Sequence, residues 1–391
     1  MSCSIGGAGH FNPLRPFIDV LQSHGDEVLV VIPPALVPLA KACDCEFRVG
    51  AEPPRATLTE IRGAIATASR SHAAILSERE LFGRLCTAAM LPATESAFVE
   101  WRPELVLRET CEYSSAVVAC RNGVRHAQVA ISQGEIEASA LAIAAPALEA
   151  YHSGVVEQIR SSPFLTRFPS SLDPISYPDT RRYSAWFRRP HAPLANWWET
   201  NDSPLVYLTF GSVTGSMSIA AEAYRIALGA MKDLAVRVLL TVGEHVDIAA
   251  LGPLPDNVHV EHWVPQDEVF AYASLVVCHG GSGTTFGALA WGLPVVLVPM
   301  FADQFANARR VASAGAGLLV EPATAEGELR PRLSDRDTAR IARAVTDALE
   351  NTAYLRAAAR IAREMASLPS VEEILALVGR DAVPGQFPPR A

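Results

Sequence analysis

The sequence predicts an α/β protein of two Rossmann-like lobes, each a parallel sheet covered by helices, and three observations predict it. Short β-branched or apolar runs bounded by turn residues alternate with amphipathic helical stretches along nearly the whole chain, as in successive βαβ units. The 391 residues, 49% apolar and 19% charged, exceed what one core of ordinary size encloses. Between residues 161 and 203 the alternation lapses into a stretch rich in proline, arginine and tryptophan (Pro163, Pro169, Pro174, Pro178, Pro190, Pro193, Trp186, Trp197, Trp198), a composition that suits a linker. The first lobe is therefore expected over residues 1–190 and the second over 200–391.

In the first lobe the strand candidates are residues 27–32, 105–107 and 128–131, with a helix over 14–24. In the second, strands are expected over 205–209, 236–241, 275–278 and 295–298, and helices over 219–231, 283–291, 305–314 and 338–351. A further helical stretch, 354–377, follows, and its periodicity does not say which lobe it packs on. The tail 383–391 carries three prolines and is expected to fray.

Composition narrows the function. Lys and Arg total 33 against 42 acids, a net charge of -9, so no basic footprint exists for a nucleic acid or an anionic membrane. The seven cysteines are scattered without a C-x-x-C pair, which indicates neither a disulfide framework nor a structural zinc site and fits a reducing cytoplasm. The N-terminus lacks the basic and apolar segments of a secretory signal, and no run reaches the roughly 18–20 apolar residues of a membrane span.

The most informative stretch lies in the second lobe. After Trp263-Val264-Pro265-Gln266, the buried strand candidate 275–278 runs into His279-Gly280-Gly281-Ser282-Gly283-Thr284-Thr285, which opens a helix. Glycines there free several backbone N–H groups and aim the positive end of a helix dipole at one spot, a site for pyrophosphate. The histidine stands at the strand's carboxyl end, where ligands bind in open α/β sheets, and can donate to a phosphate oxygen. As a dinucleotide fingerprint the run fails, because its glycines read G-x-G-x-x-x-G, and no Walker lysine follows. Asp303 and Gln304 lie beyond the next strand at the same edge, a carboxylate and an amide suited to sugar hydroxyls, or equally the acidic cap of a helix. Gly211 and Ser212, after the strand 205–209, offer further donors to phosphate.

The first lobe has its own glycine turn ending in a histidine, Gly6-Gly7-Ala8-Gly9-His10. A neutral imidazole there can take a proton from an acceptor hydroxyl, provided a carboxylate orients its other nitrogen. Glu109 and Glu112, just after the strand 105–107, are both candidates for that carboxylate. The literal D-x-D at Asp335-Arg336-Asp337 follows Ser334 at a helix start and reads as first-turn acids rather than metal ligands. Apolar residues over 53–91 and 134–168 suit a lipophilic acceptor, though helix packing explains most of them.

Together, Gly6 to His10, Trp263 to Gln266, His279 to Thr285 and Asp303-Gln304 resemble, in order and spacing, the inverting glycosyltransferases of the GT-B fold. The likeness is greatest to the bacterial antibiotic branch, which acts on polyketide, macrolide or enediyne aglycones. The resemblance covers essentially the whole chain and implies two lobes facing across a deep cleft, with the final helix, over 354–377, crossing back to the first lobe. It implies His10 as general base and Glu109 as the acid that orients it in place of the family's aspartate; Glu112, from its place after the strand 105–107, stands as a further acceptor-side candidate. On the donor side it implies Trp263 and its neighbours Val264 and Gln266 near the nucleobase. His279 and the backbone from Gly280 through Gly281, Ser282, Gly283 and Thr284, with Gly211 and Ser212, would cradle the pyrophosphate, and Asp303 and Gln304 would hold the sugar. The donor would be a TDP- or UDP-linked sugar, used as substrate without cofactor or metal, in a bacterial cytoplasm; a homodimer is left open. The family's first strand runs several residues longer before its glycine turn than Met1 to Ile5 do here. Two other readings stand beside this one: a sugar-nucleotide epimerase of the same architecture, and a catalytically silent partner of a glycosyltransferase.

Overall fold

The computed structural model describes residues 1–3, 5–174, 177–185, 194, 195, 197, 202–211, 220–243, 246–322 and 333–380. The chain divides into two compact units. The first comprises Met1–Phe168, Asp173–Ala185 and the segment from Leu368 on; the second comprises Pro169–Leu172 and Trp186–Ser367.

The first unit holds a seven-stranded parallel sheet of β1 (Ser2–Cys3), β2 (Leu29–Ile32), β3 (Glu46–Val49), β4 (Leu105–Glu109), β5 (Arg125–Val129), β6 (Phe164–Thr166) and β7 (Thr180–Arg182). Its order is β3-β2-β1-β4-β5-β6-β7, so the direction of strand addition reverses between β1 and β4. The second unit holds a six-stranded parallel sheet of β8 (Leu205–Thr209), β9 (Arg237–Thr241), β10 (Val258–Glu261), β11 (Leu275–Cys278), β12 (Val295–Leu297) and β13 (Gly317–Leu319). Its order is β10-β9-β8-β11-β12-β13, with the reversal between β8 and β11.

Interior strands of parallel sheets are covered on both faces, and their sequences show it. β2 reads Leu-Val-Val-Ile and β11 Leu-Val-Val-Cys, every residue buried. Alternation along β2 sends Val30 and Ile32 to the face carrying Phe11, Leu14, Phe17 and Ile18, while Leu29 and Val31 meet Met90 and Phe98 on the other. Burial of each such side chain contributes about 1.5–3 kcal/mol.

Two expectations are corrected. The stretch 354–377 is not one helix but two, Thr352–Ala366 in the second unit and Val371–Arg380 in the first. Pro369 disfavours helical backbone at the residue before it, and Ser370 with Glu373 starts the second helix as a reciprocal cap, Ser370 N donating to the Glu373 carboxylate at 2.7 Å and Glu373 N to Ser370 Oγ at 3.1 Å. Val371, Ile374 and Val378 then join the core around Phe17 and Ile18. The proline-rich stretch 161–203 is not wholly linker, because β6 and β7 within it extend the first sheet. Its prolines flank those strands, and Arg182 pins the intervening loop by donating to the carbonyls of Phe168 and Asp173 at 2.8 and 2.6 Å. Trp186, Pro190, Pro193, Trp198, Ser212 and the tail 383–391 lie outside the described residues.

Candidate active site

Both histidines singled out by sequence follow a strand at its carboxyl end, beside the reversal of strand order where open α/β sheets form ligand crevices. In the first unit β1 leads to Gly6, whose φ of +70° turns the chain so tightly that a Cβ there would meet the His10 ring at 2.9 Å. His10 lies on the short helix Ala8–Phe11, with open space beside Gly7 and Gly9. Its Nδ1 is 3.2 Å from Glu109 Oε1, the imidazole side chain being 23% exposed and the carboxylate fully buried. Burial pulls the His10 pKa down. The charge and hydrogen-bonding reach of Glu109 pull it up, Glu137 and Glu78 add to that, and the net lies above the ordinary 6.5.

Glu109 cannot swing away. Its Oε1 accepts from Ile5 N at 3.3 Å and its Oε2 from Cys111 N at 2.7 Å. Arg108, fully buried beside it, donates to the carbonyls of Glu109, Thr110 and Glu112 at 3.1, 3.1 and 3.0 Å and to Gln128 Oε1 at 3.1 Å. The loop after β4 is thus clamped by one cation. Glu137 accepts from Ile131 N and Ser132 N at 3.1 and 2.6 Å, and burial, against the Thr110 hydrogen bond, pushes it up to about 8. Glu78 belongs to a π-helical stretch, Ile75–Cys86, and is raised chiefly by burial; Phe82 of the same stretch places its ring 5.6 Å from that of His10.

Glu112 is engaged by other groups. It is 1% exposed, and its carboxylate is engaged by the hydroxyls of Ser114 and Ser115 and by Ser115 N at 3.2 Å, in the first turn of the helix Ser114–Asn122. It is a helix-start acid, and of the two carboxylate candidates Glu109 is the one that reaches His10.

In the second unit Thr209 ends β8 and Gly211 follows at φ +76°. His279 follows β11, its ring held between Gly211 and Gly281: a Cβ on either would meet it at 2.8 or 2.4 Å. At Gly280, φ +87°, a Cβ would meet the Gln304 carbonyl oxygen at 2.8 Å, so this glycine has a steric reason. Burial lowers His279 to about 4 against the raising effect of the Thr209 backbone, leaving a neutral ring at pH 7. The helix Ser282–Ala290 then presents the N–H groups of Ser282, Gly283 and Thr284, which have no partner within the helix, with open space beside Gly283.

The side chains of this turn are tied into one network. Ser282 Oγ donates to Asp303 Oδ2 at 2.9 Å, and Asn307 Nδ2 donates to the Gly280 carbonyl at 2.9 Å and to Asp303 Oδ2 at 3.1 Å. Gln304 Oε1 accepts from Met300 N and Phe301 N at 2.9 and 3.1 Å, so only its Nε2 can serve a ligand. The residue before Asp303, Ala302, holds φ +53°, a strained conformation for a non-glycine at this loop. Gln266 Nε2 donates to Thr284 Oγ1 at 3.0 Å and so fixes the segment after β10, from which Trp263 projects 65% exposed beside half-buried Val264. The D-x-D carboxylates are elsewhere engaged: Asp337 forms a capping box with Ser334 and an ion pair with Arg340 at 2.6 Å, and Asp335 pairs with Arg225 at 2.8 Å.

Sequence reasoning missed Arg108, Glu137 and Asn307. A charged residue inside the apolar run of β4 signals Arg108, and the four-residue spacing from Asp303 signals Asn307. For Glu137 no local pattern distinguishes it from the other acids at the start of its helix.

Comparison with known proteins identifies the fold and the family. Residues 225–379 match the family described as erythromycin biosynthesis protein CIII-like, C-terminal domain. Across the chain it is similar to the elloramycin glycosyltransferase ElmGT of Streptomyces olivaceus, 30% identical over 395 aligned positions that cover 94% of this chain and 93% of the relative. Its fold is similar to that of the calicheamicin glycosyltransferase CalG4, with a TM-score of 0.75 at 22% identity and 98% of each chain covered. It is likewise similar to the spinosyn rhamnosyltransferase SpnG in complex with thymidine diphosphate, with a TM-score of 0.74 at 21% identity, covering 97% of this chain and 100% of that one. These matches are transferases, which sets the epimerase reading aside. With two parallel-sheet units and near full-length likeness to an antibiotic glycosyltransferase, the chain belongs to the erythromycin CIII-like family of macrolide and polyketide glycosyltransferases, GT-B enzymes that move sugars onto natural-product aglycones.

Proposed function

We propose that the protein is an inverting glycosyltransferase that transfers a deoxysugar from a thymidine diphosphate donor to a hydroxyl of a lipophilic aglycone, with His10 as base and no metal in the reaction. The observation that carries this reading is the His10–Glu109 pair at 3.2 Å, with the carboxylate held by two backbone N–H groups. Glu109 keeps the proton of the imidazole on Nδ1, so that Nε2 is the basic atom. As the acceptor oxygen bonds to the anomeric carbon, from the face opposite the nucleotide, its proton passes to Nε2, and Glu109 stabilises the imidazolium that results.

The leaving diphosphate gains charge as the old bond breaks. The N-terminus of the helix Ser282–Ala290 and one N–H of neutral His279 supply donors for that charge, performing the electrostatic task that a cation performs in other enzymes. Exposed Trp263 offers an aromatic face to the nucleobase, and Asp303 and Gln304 Nε2 offer partners to the sugar hydroxyls. The choice of thymidine diphosphate is supported by its presence in the similar SpnG structure and in that of the glycosyltransferase VinC, and that of a lipophilic acceptor by the SpnG complex with spinosyn aglycone.

The test is His10→Ala. Turnover with a TDP-sugar and a polyketide or macrolide aglycone is expected to fall about 10²–10⁴-fold, while thermal stabilisation by thymidine diphosphate in the presence of EDTA persists. Unchanged turnover would refute the base.

A further inference from the structure

The same corner of the first unit contains a third potential ligand atom with no part in sugar transfer. His10, Glu109 and Cys111 each offer one donor atom, an imidazole nitrogen, a carboxylate oxygen and a thiol sulfur, and these atoms all lie within 4.8 Å of one another. Glu109 and Cys111 are buried and rigid, Cys111 N being hydrogen-bonded to Glu109 Oε2 at 2.7 Å, whereas His10 is part-exposed and gives access from solvent. His10 Nδ1 is buried and stands 3.2 Å from Glu109 Oε1. We propose that His10, Glu109 and Cys111 form a site for one soft divalent cation of the zinc class, which on binding silences the base.

Nitrogen, oxygen and sulfur from three side chains are a donor set that zinc and cobalt accept at about 2.0–2.3 Å, with the fourth tetrahedral position left to water. Closing the present triangle to that size needs movements of about an ångström, within reach of the part-exposed imidazole. The thiol releases its proton to solvent as sulfur binds. A hard cation such as magnesium, with its preference for six oxygens, finds only one suitable group here. The consequence is inhibition: imidazole bonded to the cation no longer takes the acceptor proton. That consequence rests on the reading of His10 as base, whereas the site itself does not.

The experiment is a titration of the full chain with Co²⁺, followed by visible and near-ultraviolet absorption, with Zn²⁺ as competitor. A complex of one Co²⁺ per chain with tetrahedral bands and a thiolate-to-cobalt charge-transfer band is expected, displaced by Zn²⁺. Cys111→Ser should lose the charge-transfer band and bind at least tenfold more weakly, while Cys45→Ser keeps both. A cobalt spectrum without thiolate character, or one retained in Cys111→Ser, overturns the site. If Cys111→Ser does not fold, His10→Gln, which removes the exposed ligand, must weaken Co²⁺ binding to the same extent, and unaltered binding overturns the proposal. Thermal stabilisation by thymidine diphosphate with EDTA, measured alongside, reports on the transferase reading separately, so either can fail alone.

Discussion

His10 and His279 occupy equivalent places in two sheets: each follows a strand at its carboxyl end, at a glycine turn, beside the reversal of strand order. Their surroundings differ in charge. His10 faces Glu109, with Glu78 and Glu137 behind it, and its pKa is raised; His279 is packed between Gly211 and Gly281 with no acid among the causes of its shift, and burial takes it down to about 4. The same backbone device therefore produces an imidazole that readily gains a proton and one that refuses it. A base needs the first property and a neutral N–H donor to an anion needs the second.

The largest effect that would break this comparison is expected from Glu109→Gln. The amide keeps the volume but no longer stabilises the imidazolium, so turnover should fall about 10²-fold or more. Because Glu109 raises the His10 pKa, its loss should also move the acidic limb of kcat/KM to lower pH. Turnover with the parent's pH limb would mean that another acid orients His10. A smaller effect is expected from His279→Ala: one hydrogen bond to a charged phosphate is worth about 1.5–3 kcal/mol, so thymidine diphosphate affinity should weaken about 10- to 100-fold, measured by calorimetry. That loss should be constant from pH 6 to 8, since a group held near 4 is neutral throughout.

The smallest effect sharpens the acidic side of the comparison. Glu137 is raised from 4.5 to about 8, so the folded state keeps a proton that the unfolded state releases. Stability from that protonated carboxyl is present below the unfolded value and is lost as pH rises through about 8. Glu137→Gln has no such proton to lose, and its melting temperature should gain on the parent's as pH rises from 5 to 9. Parallel melting curves across that range would show that Glu137 is ionised in the fold.

Much of this was legible in sequence because buried parallel strands announce themselves. Leu205–Thr209 and Leu275–Cys278 form where expected, and the helices over 14–24, 283–291, 305–314 and 338–351 form within a few residues of the expected bounds. β1, β6, β7 and β13 escaped, since two or three residues are too short for periodicity, and β3 and β10 because half-exposed edge strands carry charges such as Glu46, Arg48 and Glu261. β4 runs two residues past the expected end, which puts Arg108 and Glu109 inside the sheet, where a charged pair of residues reads as loop. Of the site, the glycine turns and both histidines were readable, as steric and electrostatic needs impose them locally. The residues alone left open which of Glu109 and Glu112 meets His10, because it depends on Ser114 and Ser115 engaging Glu112, and only the family resemblance pointed to Glu109.

The central claim is that two matching turns hold histidines of opposite protonation behaviour, and titrating the imidazole carbon-bound protons by NMR tests it most directly. The chain has ten histidines, so the two signals are assigned with His10→Gln and His279→Gln. The account predicts that His10 titrates above 6.5 while His279 stays neutral until the pH nears about 4. Both titrating near 6.5, or the two in reversed order, would contradict it.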